Sequence, residues 1–242
     1  MPLKELNAIA RAQRFQRRSA VQRHVARAQR SAWPLCRGWC AGQALRSDGQ
    51  PFRRTSDDPD ESSWSALRDL VGPGRTATLF RQRIEVPATW EVIRRFPGVQ
   101  LVAPLERESS SGDERIEVLG DDDVPAMLEL ATRTAPGPFL ARTHELGTFL
   151  GVKEHGRLIA MAGQRARIEG FVEISAVCTD ERSRGQGLAS LLVAELVAQI
   201  AAQGGRGFLH AAASNEVAIS LYERLGFTRS REVDGALLRS PA

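Results

Sequence analysis

The sequence predicts an α/β protein, and two observations carry that prediction. Between residues 115 and 239, apolar patterns of strand and helix periodicity alternate in the order β-α-α-β-β-β-α-β-α-β. Within this order, a basic loop with two glycines joins an apolar, β-branched strand over Phe171–Thr179 to an apolar helix over 188–203. The alternation gives the fold class, and the loop indicates where the functional site lies.

The first 55 residues are strongly basic. They hold twelve basic residues against Glu5 and Asp48, a net charge of +10, whereas the rest of the chain carries −6. We interpret residues 1–55 as a poorly ordered tail or a thin helical arm. A nucleic-acid-binding arm is the alternative. Because no aromatic stacking set accompanies the charge, nucleic acid is not an expected partner.

Residues 56–105 form a second, smaller pattern, which we interpret as a degenerate N-terminal half-domain. It carries no phosphate-binding loop, so we expect it to support packing and to form one wall of a cleft. The predicted elements are a helix capped by Ser62-Ser63 and ended by Gly72-Pro73-Gly74, a strand over 76–80, and a hairpin with arms 90–94 and 99–102 around Phe96-Pro97-Gly98. A polar linker over 106–113 follows.

Residues 113–242 are predicted to form the main domain. Its first helix is capped by one of three aspartates, Asp121 to Asp123, and has Pro125 in its first turn. The remaining predicted elements are strands over 115–119, 149–153, 157–166 and Phe171–Thr179, a short helix over 141–146, the helix over 188–203, a strand over 207–213, a helix over 216–225 and a closing strand.

The composition excludes several classes of protein. The chain is 42% hydrophobic and 26% charged, which is typical of globular domains. No apolar run has the length of a membrane span or the character of a signal peptide, so we expect a cytoplasmic protein without a membrane partner. Cys36, Cys40 and Cys178 are too few for a disulfide framework. Cys36-x-x-x-Cys40 with His24 lacks a second ligand pair at finger spacing, so no metal is expected.

The loop between the apolar strand and the apolar helix has the character of a phosphate-binding site. Backbone N–H groups at a helix N-terminus are unpaired, and the helix dipole favours an anion there. Gly185 and Gly187 let the main chain approach a ligand without a Cβ. The spacing fits neither a dinucleotide-binding nor an ATPase motif. The residues predicted to hold the diphosphate are Arg182, Arg184, Gly185, Gln186, Gly187, Leu188 and Ala189.

Two motifs, which follow one another along the chain, resemble signatures of the GNAT superfamily of acyl-CoA N-acyltransferases. The pattern Arg182-x-x-Gly185-x-Gly187 resembles the acetyl-CoA loop of that superfamily, Q/R-x-x-G-x-G/A. The second resembles its signature N-x-x-A-x-x-x-Y-x-x-x-G-F, with the matching residues Asn215, Ala218, Tyr222, Gly226 and Phe227. The resemblance covers residues 115–239. The blocks 173–177 and 185–189 resemble the branch related to the C-terminal half of glycine N-acyltransferase.

The resemblance implies a fold, a co-substrate and a mechanism. The fold is a mixed, mostly antiparallel sheet with helices on both faces. The activity is transfer of an acetyl group from acetyl-CoA to a primary amine, directly, within a ternary complex. Two neighbouring strands splay apart, and pantetheine pairs with the exposed edge, here at Val177, Cys178 and Thr179. A backbone N–H near Val177 polarises the thioester carbonyl.

Tyr222 and Asn215 each have two interpretations. The resemblance makes Tyr222 the acid that protonates the sulfur of coenzyme A, whereas a tyrosine on an amphipathic helix also serves as a core residue. Ala218, one turn earlier, is small enough to leave room for the pantetheine arm. Asn215 either contacts pantetheine or caps its helix, and the two roles are compatible.

Glu173 is the candidate base because a carboxylate inside an apolar strand is costly unless it is paired or solvated. Burial would raise the pKa of Glu173 toward a useful value. Strand alternation would place Glu173 on the side of Val177, unless a bulge lies between them. The alternative is a salt bridge to Arg165 or Arg167. The remaining titratable residues have weaker interpretations: His144 and Glu145 as acceptor contacts, His210 as a packed strand residue and the Cys178 side chain as core.

Three functions therefore remain open at the level of sequence. The first is an acetyl-CoA-dependent N-acetyltransferase. The second is an acyl-CoA-binding regulator without catalysis, and the third is a nucleic-acid-binding protein acting through the basic arm. Small amines and peptide N-termini are both open as acceptors, and monomer and homodimer are both open as assembly states.

Overall fold

A computed structural model describes residues 61–105, 112–168 and 170–242. The predicted basic arm over 1–55 and most of the predicted linker lie outside the described residues. The strands are β1 (Thr76–Arg81), β2 (Glu91–Val102), β3 (Ile116–Leu119), β4 (Phe149–Glu154), β5 (Arg157–Ile168), β6 (Phe171–Thr179), β7 (Arg206–Ala212) and β8 (Thr228–Arg239). The α-helices are α1 (Glu61–Val71), α2 (Val124–Thr134), α3 (Leu188–Ala202) and α4 (Glu216–Arg224). Short 3-10 helices cover Asp121–Asp123, Thr143–Leu146 and Glu181–Ser183.

The eight described strands form one sheet in the order β1-β8-β2-β7-β6-β5-β4-β3. Every pair of neighbours is antiparallel except β6 and β7, which run parallel. The parallel pair requires a crossover, and α3 supplies it. The predicted fold class, a mixed and mostly antiparallel sheet flanked by helices, is therefore confirmed.

Three apolar clusters hold the helices on the sheet. The largest packs α3 and α4 against one face through buried residues such as Leu192, Leu196 and Tyr222. A second packs α2 against the opposite face through Met127 and Leu130. The third holds α1 against the outer strands. Among the described residues, no helix combines the length and the apolar character that crossing a bilayer requires.

The predicted hairpin over residues 90–102 is wrong, because these residues form one continuous strand, β2, between β7 and β8. Pro97 lacks an N–H, but its carbonyl faces the β7 side and accepts from Ala213 at 2.9 Å. The ladder to β7 begins only at Gly98, so the missing N–H of Pro97 removes no hydrogen bond from it. Phe96 also fits within a strand, because its ring lies over Gly235.

Candidate active site

The strands β6 and β7 separate after three paired positions. Phe171 to Glu173 pair with Arg206 to Phe208, and the ladder ends there. Beyond this point β6 continues to Thr179, paired only with β5, and β7 continues to Ala212, paired only with β2. The splay that the resemblance implies is therefore confirmed. It leaves one edge of residues 174–179 open beside the loop that leads into α3.

A β-bulge interrupts β6 at Ala176, whose φ is 52°. Ser175 pairs with Gly163 and Cys178 pairs with Met161, so two residues of β6 lie opposite one residue of β5. The bulge also reverses the alternation of side chains. Val177 packs in the cluster that α3 and α4 cover, whereas Cys178 lies in the cluster that α2 covers. The prediction that alternation places Glu173 on the side of Val177 is wrong for this reason.

The loop before α3 begins with a buried aspartate that fixes its shape. The Asp180 carboxylate accepts the N–H of Arg182 at 3.1 Å. It also pairs with Arg133 at 3.0 Å and Arg157 at 2.9 Å. These interactions, the Arg182 N–H first, hold the pKa of Asp180 below its usual value. The negative charge that starts the loop is thus already neutralised by two arginines.

The glycines and the N-terminus of α3 leave backbone groups facing solvent. Gly185 has φ 80° and Gly187 has φ 74°, and a Cβ at either position would have no neighbouring atom within 4 Å. The first main-chain hydrogen bond of α3 runs from Leu191 N–H to Gly187 O at 3.0 Å. The amides of the first helical turn therefore have no intrahelical acceptor. Arg182 and Arg184 are exposed, and neither forms an ion pair with a described residue. These features suit an anionic ligand.

Tyr222 lies in the core on the side of α3 and α4. Its side chain is buried beside Phe227, with ring centroids 5.8 Å apart. Its hydroxyl has no hydrogen-bond partner among the described residues. Burial, together with the nearby Cys178 thiol, raises the pKa of Tyr222 to about 12. The phenol therefore stays protonated over the whole physiological range, as an acid requires.

The side chains of Asn215 and Thr179 differ in whether they have a hydrogen-bond partner. The Asn215 side chain accepts the N–H of Ala218 at 3.2 Å, so its predicted role as the cap of α4 is confirmed. The Thr179 hydroxyl is buried and has no partner within the described parts of the chain. An unsatisfied buried hydroxyl costs free energy unless a ligand or water pairs with it.

Glu173 is paired, which is the alternative that the sequence left open. Its carboxylate is 1% exposed and accepts two hydrogen bonds from Arg165, at 2.6 and 3.0 Å. A third comes from His210 at 3.0 Å. Burial acts to raise the pKa of Glu173, but the Arg165 charge and the hydrogen bonds outweigh it and lower the pKa to about 2. The expected rise in this pKa is therefore wrong, because Arg165 on the neighbouring strand β5 supplies a counter-ion.

The sequence did not reveal the partners of His210. The imidazole is packed as predicted, with 3% of its side chain exposed and its ring stacked on Phe80 at 4.7 Å. Its Nδ1 faces Glu173 and its Nε2 lies 3.1 Å from Gln100 Nε2. The contacts of His210 with Glu173 and Gln100 can be predicted only once β2, β7 and β6 are known to be adjacent strands.

The other candidates have structural partners. The Cys178 thiol is buried, which raises the pKa of Cys178 to about 11, and its side chain lies in the core as predicted. His144 contacts Asp121 and the carbonyl of Ala141, each at 2.9 Å. Glu145 pairs with Arg142 at 2.7 Å. No group of three or more potential metal ligands occurs within residues 61–105, 112–168 and 170–242.

Comparisons with known proteins agree with this geometry. The family model of the FR47-like proteins matches residues 149–234. A crystal structure from Novosphingobium aromaticivorans, of a protein assigned to the GNAT acetyltransferase family, is 38% identical with a TM-score of 0.68; the match covers 75% of this chain and 82% of that one. A GNAT acetyltransferase from Colwellia psychrerythraea shares the fold at 15% identity, with a TM-score of 0.51 over 81% of this chain and 80% of that one. None of the curated proteins matches.

Proposed function

The chain belongs to the GNAT family of acetyltransferases, and we therefore propose that it moves an acetyl group from acetyl-CoA to a primary amine. The transfer is direct and takes place in a ternary complex. The acceptor is a small amine or a peptide N-terminus, and the cytoplasm is the compartment. The relation to the glycine N-acyltransferase-like branch stays a prediction, carried by the blocks 173–177 and 185–189.

One observation carries this proposal: the open edge of β6 leads directly into the amide-lined N-terminus of α3. An extended pantetheine arm pairs with a free strand edge by main-chain hydrogen bonds, as an added strand does. The edge residues for this role are Val177, Cys178 and Thr179. The unpaired Thr179 hydroxyl supports the assignment, because a ligand there would satisfy it.

The diphosphate belongs at the start of α3. Amides of residues 185–189 donate to it, and Gly185 and Gly187 allow the close approach. The Arg184 N–H already donates to the Glu181 carbonyl at 3.3 Å, so Arg184 takes part through its side chain. The exposed guanidinium groups of Arg182 and Arg184 add charge-assisted contacts. Gln186, Leu188 and Ala189 complete the loop.

The proposed chemistry uses groups on the α3 and α4 side of β6. The amine attacks the thioester carbonyl, and a backbone N–H near Val177 stabilises the oxyanion. The bulge supports this role, because a bulged residue is left out of the ladder to β5. As the C–S bond breaks, the thiolate takes a proton from Tyr222. Asn215 holds the start of α4 and borders the pantetheine arm.

Calorimetric titration with acetyl-CoA, followed by a thioester-cleavage assay over a panel of amines, tests the proposal. We expect saturable binding, and release of coenzyme A that depends on the amine. Direct transfer predicts intersecting double-reciprocal plots, whereas an acetyl-enzyme intermediate gives parallel lines. Binding without release for any amine would instead favour the regulator without catalysis. Failure to bind acetyl-CoA would refute the site.

A further inference from the structure

The main chain of Asp180 joins the end of β6 to the loop that leads into α3. Asp180 follows Thr179, the last residue of β6. Its N–H donates to the Ile159 carbonyl on β5 at 2.7 Å, and its own carbonyl accepts the Ser183 N–H at 2.9 Å. The first contact ties the start of the loop to the sheet, and the second closes the short helix Glu181–Ser183. The open edge of β6 therefore ends at Asp180.

The two carboxylate oxygens of Asp180 have different partners. Oδ1 accepts the N–H of Arg182 at 3.1 Å, a contact within the loop. Oδ2 accepts from Arg133 at 3.0 Å and from Arg157 at 2.9 Å. One oxygen thus holds the main chain of the loop, whereas the other contacts charged side chains. Because the two sets of contacts lie on different atoms, substitution can separate them.

The two arginines come from elements outside the loop. Arg133 lies in the last turn of α2 and also pairs with Glu129. Arg157 is the first residue of β5, and 50% of its side chain is exposed. Only 8% of the Asp180 side chain is exposed. A buried carboxylate is costly without a counter-charge, so these guanidinium groups keep Asp180 ionised in place.

The charge of Asp180 matters because of its position in the loop. Glu181, the other acidic residue of the loop, is exposed, so solvent and salt screen its charge. The buried charge of Asp180 is screened less by solvent, and the amides that would receive an anion follow it directly in the sequence. Without the two arginines, Asp180 would repel a diphosphate at the start of α3.

Building on the proposed function, we propose that Asp180 is the positioning residue of the diphosphate loop: Oδ1 sets the course of its main chain, and the arginines at Oδ2 cancel a charge that would repel coenzyme A. In this role Asp180 contacts no atom of the co-substrate and acts through the backbone of Arg182. A merely structural Asp180 would contribute to stability and leave the acetyl-CoA affinity of the folded protein unchanged.

The first test compares Asp180→Ala with Asp180→Asn by calorimetric titration with acetyl-CoA, at a temperature where both variants are folded. Alanine removes the acceptor for the Arg182 N–H, so we expect the Kd to rise about tenfold or more. Asparagine keeps an oxygen for that N–H and has no charge to repel the diphosphate, so the Kd should stay within about threefold of the wild type. Wild-type affinity in Asp180→Ala, or equal losses in both variants, overturns the proposal.

Steady-state kinetics give the same test a second readout. In Asp180→Ala, the KM for acetyl-CoA should rise with the Kd. The KM for the amine and the kcat at saturating acetyl-CoA should change by less than about threefold, because the groups proposed for the chemistry lie elsewhere. A loss confined to kcat would contradict a role in positioning the diphosphate.

The second test asks whether Arg157 acts through Asp180. Arg157→Gln leaves part of the Asp180 charge without its partner, so we expect the Kd to rise about fivefold at low salt and less at high salt. In an Asp180→Asn background the same substitution should change the Kd by less than about twofold, since no charge remains to be cancelled. An equal loss in both backgrounds would show that Arg157 contacts coenzyme A itself, and would overturn the role in charge cancellation.

Asp123 provides a matched control, because its carboxylate has the same kinds of partner at the other end of α2. It accepts the Gly120 N–H at 2.9 Å and pairs with Lys153 at 2.8 Å. Asp123→Ala should leave the acetyl-CoA affinity unchanged. An equal loss in Asp123→Ala and Asp180→Ala would show a general effect of lost stability and overturn the proposal.

The two proposals fail in different ways. A wild-type protein that does not bind acetyl-CoA overturns the proposed function. A wild-type protein that binds acetyl-CoA, with an affinity that Asp180→Ala leaves intact, overturns the role of Asp180 alone. Where Asp180→Ala does not fold, Asp180→Asn and Arg157→Gln decide the outcome, because both keep an acceptor for the Arg182 N–H.

Discussion

The side chains of Glu173 and His210 join β6 to β7 by a hydrogen bond of 3.0 Å at the row where their backbone ladder ends. Both side chains are almost fully buried, at 1% and 3% exposure. The pair therefore sets the distance between two strands that must diverge just beyond it. A buried, paired carboxylate in this setting contributes to folding, and the pH dependence of stability makes that contribution measurable.

Glu173 should stabilise the fold only while it is ionised. Its pKa is lowered in the folded state, from 4.5 to about 2, so its contribution is complete above pH 4.5 and is lost as pH falls toward 2. Glu173→Gln leaves the Arg165 charge without its buried partner, which costs about 3–5 kcal/mol near pH 7. We expect urea unfolding to show this deficit at neutral pH and to show it shrinking steadily below pH 4.5.

Glu154→Gln, at the exposed end of β4, is the control for that experiment. It should leave the free energy of unfolding at neutral pH unchanged. A Glu173→Gln deficit that stays constant from pH 7 to pH 2 would show that the carboxylate is not held ionised by Arg165 and His210.

The sequence predicted those features that depend on local pattern. The loop around Gly185 and Gly187, the cap at Asn215 and the order of elements all follow from spacing within one segment. The bulge at Ala176 did not, because an alanine with positive φ carries no sequence signal of its own. The bulge changes the face of the sheet on which the β6 side chains after it lie. Strict alternation therefore assigned Glu173 and Val177 to the same face wrongly.

Features that depend on the order of the strands in the sheet could not be predicted from the sequence either. Pro97 predicted a turn, yet the end of the β7 ladder makes its missing N–H harmless. The pairing of Glu173 with Arg165 was foreseen as one of two options, since β5 and β6 are joined by a short turn. The contact with His210 requires β6 and β7 to be neighbours across α3, and Gln100 joins only because β2 inserts beside β7. Contacts between strands decide the direction in which the pKa of Glu173 shifts, which the sequence alone predicted wrongly.

Tyr222→Phe should lower kcat without weakening the fold. Loss of a general acid costs about 100-fold or more in rate, whereas the acetyl-CoA Kd should stay within about twofold, because a ring without its hydroxyl packs in the same way. The hydroxyl has no partner among the described residues, so its removal should leave the Tm unchanged or raise it. Single-turnover kinetics with calorimetry measure the two effects separately.

The ionisation of Tyr222 is directly observable, because it is the only tyrosine in the chain. Burial raises the pKa of Tyr222 to about 12. Absorbance near 295 nm should therefore show no tyrosinate below about pH 11 in the folded protein, and an ordinary titration near pH 10 in denaturant. A native midpoint near 10 would show that the phenol is solvated.

Cys178 should be inert in the native state. Burial raises the pKa of Cys178 to about 11, so very little thiolate exists at pH 8. In a Cys36→Ser, Cys40→Ser background, we expect no reaction with Ellman's reagent until denaturant is added, and then one equivalent. Rapid labelling of the folded variant would contradict the packing of Cys178 beneath α2. The same inertness keeps the background low when that reagent is used to detect coenzyme A.

Gly187→Glu should abolish acetyl-CoA binding, and Gly204→Glu should not. Both glycines have nearly the same φ, 74° and 75°, and a side chain added at either would meet no atom within 4 Å of its Cβ. The two substitutions therefore impose the same backbone strain and the same charge, at opposite ends of α3. Only the first places a carboxylate against the amides that would hold the diphosphate, where it competes as a like charge. Calorimetry should show at least a 100-fold loss of affinity, about 2.7 kcal/mol, for Gly187→Glu alone. Equal affinities for the two variants would show that the diphosphate does not bind at this end of α3, and would refute the proposed acetyl-CoA site.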